Sequence, residues 1–357
     1  MRHLMLITAT TRVGPAFLRH AYPRSTSSAA HYVGIGKQSG KGTAAAPTVF
    51  PPYQAAVDLG HGMEGDDIRQ AGTGPYVART LKTKHDPSGG FGMAVRPKTF
   101  AQCAAWFLGA DASVLNGSLY DHTATPSEIV TWITAEHAAG VSGDIIDRLV
   151  DAMFTKMSLS IDGNGDVMSS FSYEALTAAW QATAATPSQE TGVSGSTPGG
   201  PYRASEATYT IDGAGSSTVA MVGIDLEWKL DDVRLSQVVR GQFLKLELSG
   251  KVKVKQLLDD AAKLEYRKVN YGTVSGTAPS KNFYQGGSLV VALDNGLATT
   301  NQRTLGITIP SIDWKAIPYT ALNPDGATMF IEREGTIVKG AGAFITVGSK
   351  TADVAAY

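Results

Sequence analysis

The sequence is poor in cysteine, in charge and in long apolar runs. Cys103 is the single cysteine in 357 residues, which excludes an internal disulfide framework and a zinc site built of cysteines. The 31 basic side chains stand against 32 acidic ones, so no global field favours nucleic acid or an anionic membrane surface. No apolar run approaches the roughly 18 residues that a membrane-crossing helix requires. Acidic residues are missing altogether before Asp58, while Arg2, Arg12, Arg19, Arg24, Lys37 and Lys41 all precede it. An acid-free leader containing arginine and serine resembles an organellar transit peptide, or else a flexible basic arm able to lie on an acidic surface of a neighbouring subunit. Its apolar piece LMLITA is too short for a secretory signal.

What is abundant is glycine, with 39 residues, together with Ser, Thr and Ala. That composition suits sheets with many tight turns better than a helical bundle. The stretch GIGKQSGKGT, residues 34–43, invites comparison with a phosphate-binding loop. Gly34 and Gly40 enclose five residues rather than four, and Lys41 is followed by Gly42 instead of a hydroxyl. Pro47, Pro51 and Pro52 follow, so no helix opens there to present its N-terminus to an anion. A mobile glycine loop is the expectation.

Residues 53–59 and 76–84 read as strands. GGFGMAVRPKTFAQCAAWFLG, residues 89–109, changes period midway: Phe91, Met93 and Val95 alternate, then Phe100, Cys103, Ala104 and Phe107 recur at helical spacing. Pro97 suits a first helical turn and Gly109 a C-terminal stop. EIVTWITAEH, residues 128–137, alternates again. MFTKMSLSIDGNGDVMSSFSYEA reads as a hairpin about the turn of residues 162–166. SGDIIDRLVDAM, just before it, is open between helix and strand, since Ile145, Ile146, Leu149 and Met153 would share a helical face. Residues 183–205 contain almost nothing that builds a core and read as a linker or long loop. ATYTI, TVAMVGIDLEWKL and QFLKLELSGKVKV then resume strands. A second helix over KQLLDDAAKLEYR would put Leu257, Leu258, Ala261 and Leu264 on one face. LGITIPSIDW and ATMFIEREG are further strands. A strand running into a helix thus occurs twice, which predicts a mainly β chain with two similar β-domains in tandem.

Sites of known chemistry fail on spacing. Asp162, Asn164 and Asp166 begin like a calcium loop, but its sixth and twelfth positions fall on Val167 and Tyr173 instead of Gly and Glu. The seven histidines form no HExxH pair, and surface or capping roles are expected for His122 and His137. No GxSxG elbow appears. Cys103, between Phe100 and Phe107, reads as a small buried hydrophobe. The paired acids Asp231 and Asp232, and Asp259 and Asp260, read as solvated or interface residues. The five tryptophans stand singly, as core or interface packing. Neither catalysis nor a cofactor is expected.

The order of these segments resembles the major tail tube protein of long-tailed bacteriophages with flexible, non-contractile tails. The resemblance runs from YVGIGKQSGKGTAAAPTVFPP through GGFGMAVRPKTFAQCAAWFLG, DHTATPSEIVTWITAEH and the hairpin to VGIDLEWKLDDVRLSQVVRGQFLKLELSGKVKV. It covers roughly residues 32 to 350 and leaves the leader unaccounted for. It implies an arm over residues 1–31, a first β-sandwich or distorted barrel over 32–182 with one flanking helix, and a second over 206–357. It further implies a virion protein whose partners are itself, the tape-measure protein, terminator and tip proteins, and DNA in transit, with no membrane. Two tube-like domains suggest three chains per ring with pseudo-sixfold symmetry, or alternatively six chains. Arg12, Arg19, Lys37, Gly40, Lys41 and Gly42 would form a ring-stacking arm and loop. Replacing Lys37 and Lys41 with Glu would then weaken stacking and leave the fold intact. A β-sandwich binding module, lectin-like or adhesin, is the competing class; an enzyme assembled from distant His and Asp residues is a third.

Overall fold

In the computed structural model the described residues are 32–52, 58–68, 79–139, 145–163, 165–234, 240–280, 284–317, 322–325, 328–353 and 357. The fold is mainly β with two helices. The first half contains β1 (Tyr32–Lys37), β2 (Asp58–Gly60), β3 (Met63–Ile68), β4 (Arg79–His85), β5 (Ser88–Ala94), α1 (Pro97–Leu108), β6 (Gly109–Asn116), β7 (Leu119–Pro126), β8 (Ile133–Ala139), β9 (Ile145–Asp162) and β10 (Met168–Trp180). The second contains β11 (Ala207–Ile211), β12 (Ala214–Ser216), β13 (Val219–Val233), β14 (Gln242–Leu257), α2 (Asp260–Tyr271), β15 (Tyr284–Asp294), β16 (Thr304–Trp314), β17 (Leu322–Asp325), β18 (Thr328–Ile337) and β19 (Thr346–Thr351).

Two sheet layers enclose α1. In the first layer the hydrogen-bonded order is β2-β5-β10-β9-β13-β14-β18-β17, antiparallel throughout. The second layer runs β6-β7-β19-β16-β15-β11-β12, and the end of β16 also pairs with β18, Trp314 opposite Gly335, so the two layers are continuous there. β9 is long enough to change partner: its start pairs with β8, which carries β1, and its end pairs with β13. The halves are therefore joined in both layers, by β9 to β13 and by β7 to β19. Most of their buried apolar side chains form one cluster that spans both halves, with a small separate one of Tyr32, Phe50, Ala138 and Ile146.

The local reasons are plain around α1. Pro97 occupies the first turn, and Gly109 closes the helix at φ 103°, a left-handed conformation that glycine adopts without cost. Phe100 packs against Phe171 of β10 and Phe107 against Trp228 of β13, whose indole N–H donates to the Phe107 carbonyl at 2.9 Å. Cys103 is wholly buried, and desolvation drives its thiol pKa upward, consistent with a packing role.

One open segment is decided and three expectations are corrected. Of the open segment 142–153, residues 145–153 lie in β9, where β8 and β10 satisfy the backbone on both sides, and residues 142–144 lie outside the described residues. The second helix starts at Asp260, capped by the Asp259 carboxylate on the Ala262 N–H at 2.7 Å. Leu257 and Leu258 therefore precede the helix, Leu264 is 47% exposed, and Ala262 and Val269 are its buried residues. Gly34 and Gly36 lie in β1 rather than in a loop. A Cβ on Gly36 would stand 2.3 Å from the Ala46 carbonyl oxygen, so these glycines admit residues 45–50 against the strand. Residues 183–203 form no strand or helix, yet Tyr202 is fully buried.

Candidate assembly interface

The outward face of the first layer is polar, because strands paired over a core alternate apolar and polar residues. Lys156, Ser158, Ser170, Asp225, Glu227, Ser249 and Lys251 come together on β9, β10, β13 and β14. Lys156 and Glu227 pair at 2.9 Å across the seam between the halves, and Lys253 and Glu332 pair at 3.2 Å further along. Ser158 and Ser170 share a 2.7 Å hydroxyl contact. Both signs of charge are interleaved, so the face carries no dense cationic stripe for holding phosphates.

This layer ends in two short strands. β2 pairs with β5 and β17 with β18, and among the described residues no strand covers the outer edge of either. β14 joins β18 only from Lys251 onward, so Gln242–Gly250 also has an open edge among the described residues. A groove of about 770 Å³ adjoins that edge. Trp228, Leu246, Leu248, Ile337 and Phe344 supply its apolar lining, with Glu128 and Glu247 against Lys339 as its charges. A β-bulge at Lys229/Leu230 turns the Lys245 side chain inward, where its ammonium lies 4.5 Å from the centre of the Trp228 ring and donates to the Ser127 and Ile129 carbonyls at 3.2 and 3.1 Å. Burial pushes this lysine down to about 8.

At the base of the β3–β4 hairpin, Asp86 pairs with Arg234, with Lys84 at 3.0 Å and with Arg240 at 3.3 Å. Arg240 also reaches Glu174 at 2.5 Å and Asp232 at 3.1 Å, so one ionic network links both halves. Burial raises the Asp86 carboxyl, but its bonds to Arg234 and Lys84 and the charge of Arg240 more than offset that and hold it below the usual range.

The predicted loop residues are engaged within the chain. Lys37 donates to a Tyr357 backbone oxygen and Lys41 to the Gly241 carbonyl, each at 2.5 Å. Gly42 takes φ 81° and donates its N–H to Asp151 at 2.6 Å, and a Cβ on Gly40 would meet open space. Arg12 and Arg19 lie outside the described residues.

The two histidines expected at the surface are buried instead. His122 lies between Asp111 at 3.1 Å and the Asp353 carbonyl at 3.0 Å, stacked on Tyr357 at 4.1 Å. His137 meets the Tyr173 hydroxyl, and burial lowers it to about 4. Glu136, fully buried on β8, binds Tyr32 and receives Arg148 at 2.6 Å. Among the described residues no group of three or more His, Cys, Asp or Glu is placed to hold a metal ion.

Sequence reasoning missed Glu190. Its carboxylate accepts from the Lys98 and Thr99 N–H groups at 3.2 and 3.0 Å and from the Thr99 hydroxyl at 3.0 Å. It thereby caps α1 from a segment remote in sequence; an acidic residue in a Ser/Gly/Pro-rich stretch was the signal available. No protein-family model matches the chain, and no curated protein is significantly similar to it.

Proposed function

We propose that this chain is a structural virion protein, the subunit of a bacteriophage tail tube of the long, non-contractile kind. Copies associate into rings, and rings stack into a conduit that holds the tape-measure protein and later passes DNA. One observation carries the reading: the order β2-β5-β10-β9 is followed, edge to edge, by β13-β14-β18-β17. Each set of four includes a strand that leads into a helix, β5 into α1 and β14 into α2.

The antiparallel seam between β9 and β13 is a template for the next one. Strand directions alternate across all eight strands, so β17 of one chain meets β2 of another in the antiparallel sense. Three chains then close a ring with pseudo-sixfold symmetry, and closure removes the open edges that invite aggregation. The polar face with Lys156, Ser170, Asp225 and Glu227 becomes the lumen wall, and its mixed charge suits DNA that must slide. The test is electron microscopy of the purified protein over a concentration series. Tubes of stacked threefold rings, wide enough for duplex DNA, are expected. The second reading, a β-sandwich binding module, draws on the groove beside β14 and predicts particles that stay monomeric at every concentration.

A further inference from the structure

We propose that the tip of the β6–β7 hairpin of one copy seats in the groove beside β14 of a second copy, so that chains associate head to tail. This names the contact between stacked rings and rests on the tube reading for that role. The contact itself needs only two chains.

The tip is the first observation. Val114 and Leu115 are 66% and 60% exposed, beside a turn in which Gly117 takes φ 67°. Successive strand residues point to opposite faces, so the tip is apolar on both. Residues 112–120 carry no charge. The flanking carboxylates are engaged within the chain, Asp121 by Asn116 at 2.6 Å and Asp111 by His122 at 3.1 Å.

The groove is the second. Its apolar lining comes from Trp228, Leu246 and Leu248 of β13 and β14, and from Ile337 and Phe344. Glu128 and Glu247 are matched in number by Lys339 and by the Lys245 ammonium beside Trp228. An uncharged apolar insert therefore suits it better than a strongly charged one. Contact removes exposed apolar surface from water on both sides.

Placement is the third. Thr125 and Pro126, at the end of β7, line the groove, while Leu115 lies opposite Tyr120 near the other end of the same hairpin. Tyr120 and Pro126 are roughly 20 Å apart at about 3.3 Å per residue. Tip and groove thus do not meet within one chain. A contact between two different surfaces repeats from copy to copy, which stacking requires. Lys37 and Lys41, the residues expected to stack rings, are bonded instead to Tyr357 and Gly241 of their own chain.

Disulfide trapping between two full-length variants, Leu115→Cys and Leu246→Cys, tests the contact, since the native Cys103 is buried. At micromolar protein with a mild oxidant, the mixture is expected to form a heterodimeric disulfide at least tenfold faster than either variant forms a homodimer. It should also outpace by tenfold Leu115→Cys mixed with Leu264→Cys, whose second site is 47% exposed on α2. A rate equal to that control would overturn the proposal. So would faster homodimers of Leu246→Cys, which would mean that the edges of β14 meet each other. Val114→Cys takes the place of Leu115→Cys if the latter fails to fold, and the same outcomes decide. Trapped heterodimers without threefold rings in electron micrographs would defeat the ring reading and leave this contact standing. Tubes formed while trapping stays at the control rate would defeat this contact and leave the ring reading standing.

Discussion

Single residues fix how closely the chain approaches itself. Trp314, wholly buried, lies in a slot that Gly287 and Gly335 keep open, since a Cβ on Gly335 would sit 2.8 Å from the indole and 2.4 Å from Ile312. Gly335→Ala should lower stability by about 1–3 kcal/mol, measurable in a denaturant titration, because the indole has no space to yield. His137 predicts a pH effect. In the unfolded chain it takes up a proton near 6.5, and in the fold only near 4. The unfolded state thus binds more protons between those values, so this residue's contribution is intact above 6.5 and declines as pH falls to 4. Unfolding midpoints across that window should fall less steeply in His137→Asn than in the wild type. Equal slopes would show that this imidazole is not the group responsible. That His137 exists is visible in the sequence. Its burial is not, because it arises where β8 packs against Tyr173 of a strand 36 positions away.

Elements were legible where the local code is strong. β5 and α1 follow from alternation, Pro97 and Gly109, and the β9–β10 hairpin follows from its turn. The second helix was misjudged at its start. Val252 and Val254 continue an alternation that Leu257 only ends, and the true signal was the capping Asp259. Capping also yields a test at this scale. Glu190→Ala should cost about 1–2 kcal/mol by leaving the first N–H groups of α1 without acceptors. Burial raises the Glu190 carboxyl despite those bonds, so Glu190→Gln, which keeps an acceptor oxygen without the buried charge, should lose less. Thermal unfolding of the two variants decides between them, and the reverse order would refute the capping role.

For the molecule as a whole, the seams between the halves left no mark in the sequence. Pairing of Leu159 with Ile224, or of Ser349 with His122, joins strands far apart in the chain and needs only residues that any strand would carry. The shared core has a consequence for stability: a chain whose main apolar cluster spans both halves should unfold in one step. Tryptophan fluorescence and far-ultraviolet circular dichroism should give coincident transitions, whereas two separated transitions would mean that the halves melt alone.

The seam between β9 and β13, whose strands share one polypeptide, would also bear on how copies meet in the proposed ring. Association of free bodies costs translational and rotational freedom, of order 4–15 kcal/mol per event. β9 and β13 are already held side by side by the chain that connects them, so that junction forms at any dilution. In the proposed ring the junction of β17 with β2 of the next chain would depend on concentration. Of every two neighbouring junctions in such a ring, one would be settled when the polypeptide folds and the other when it finds company.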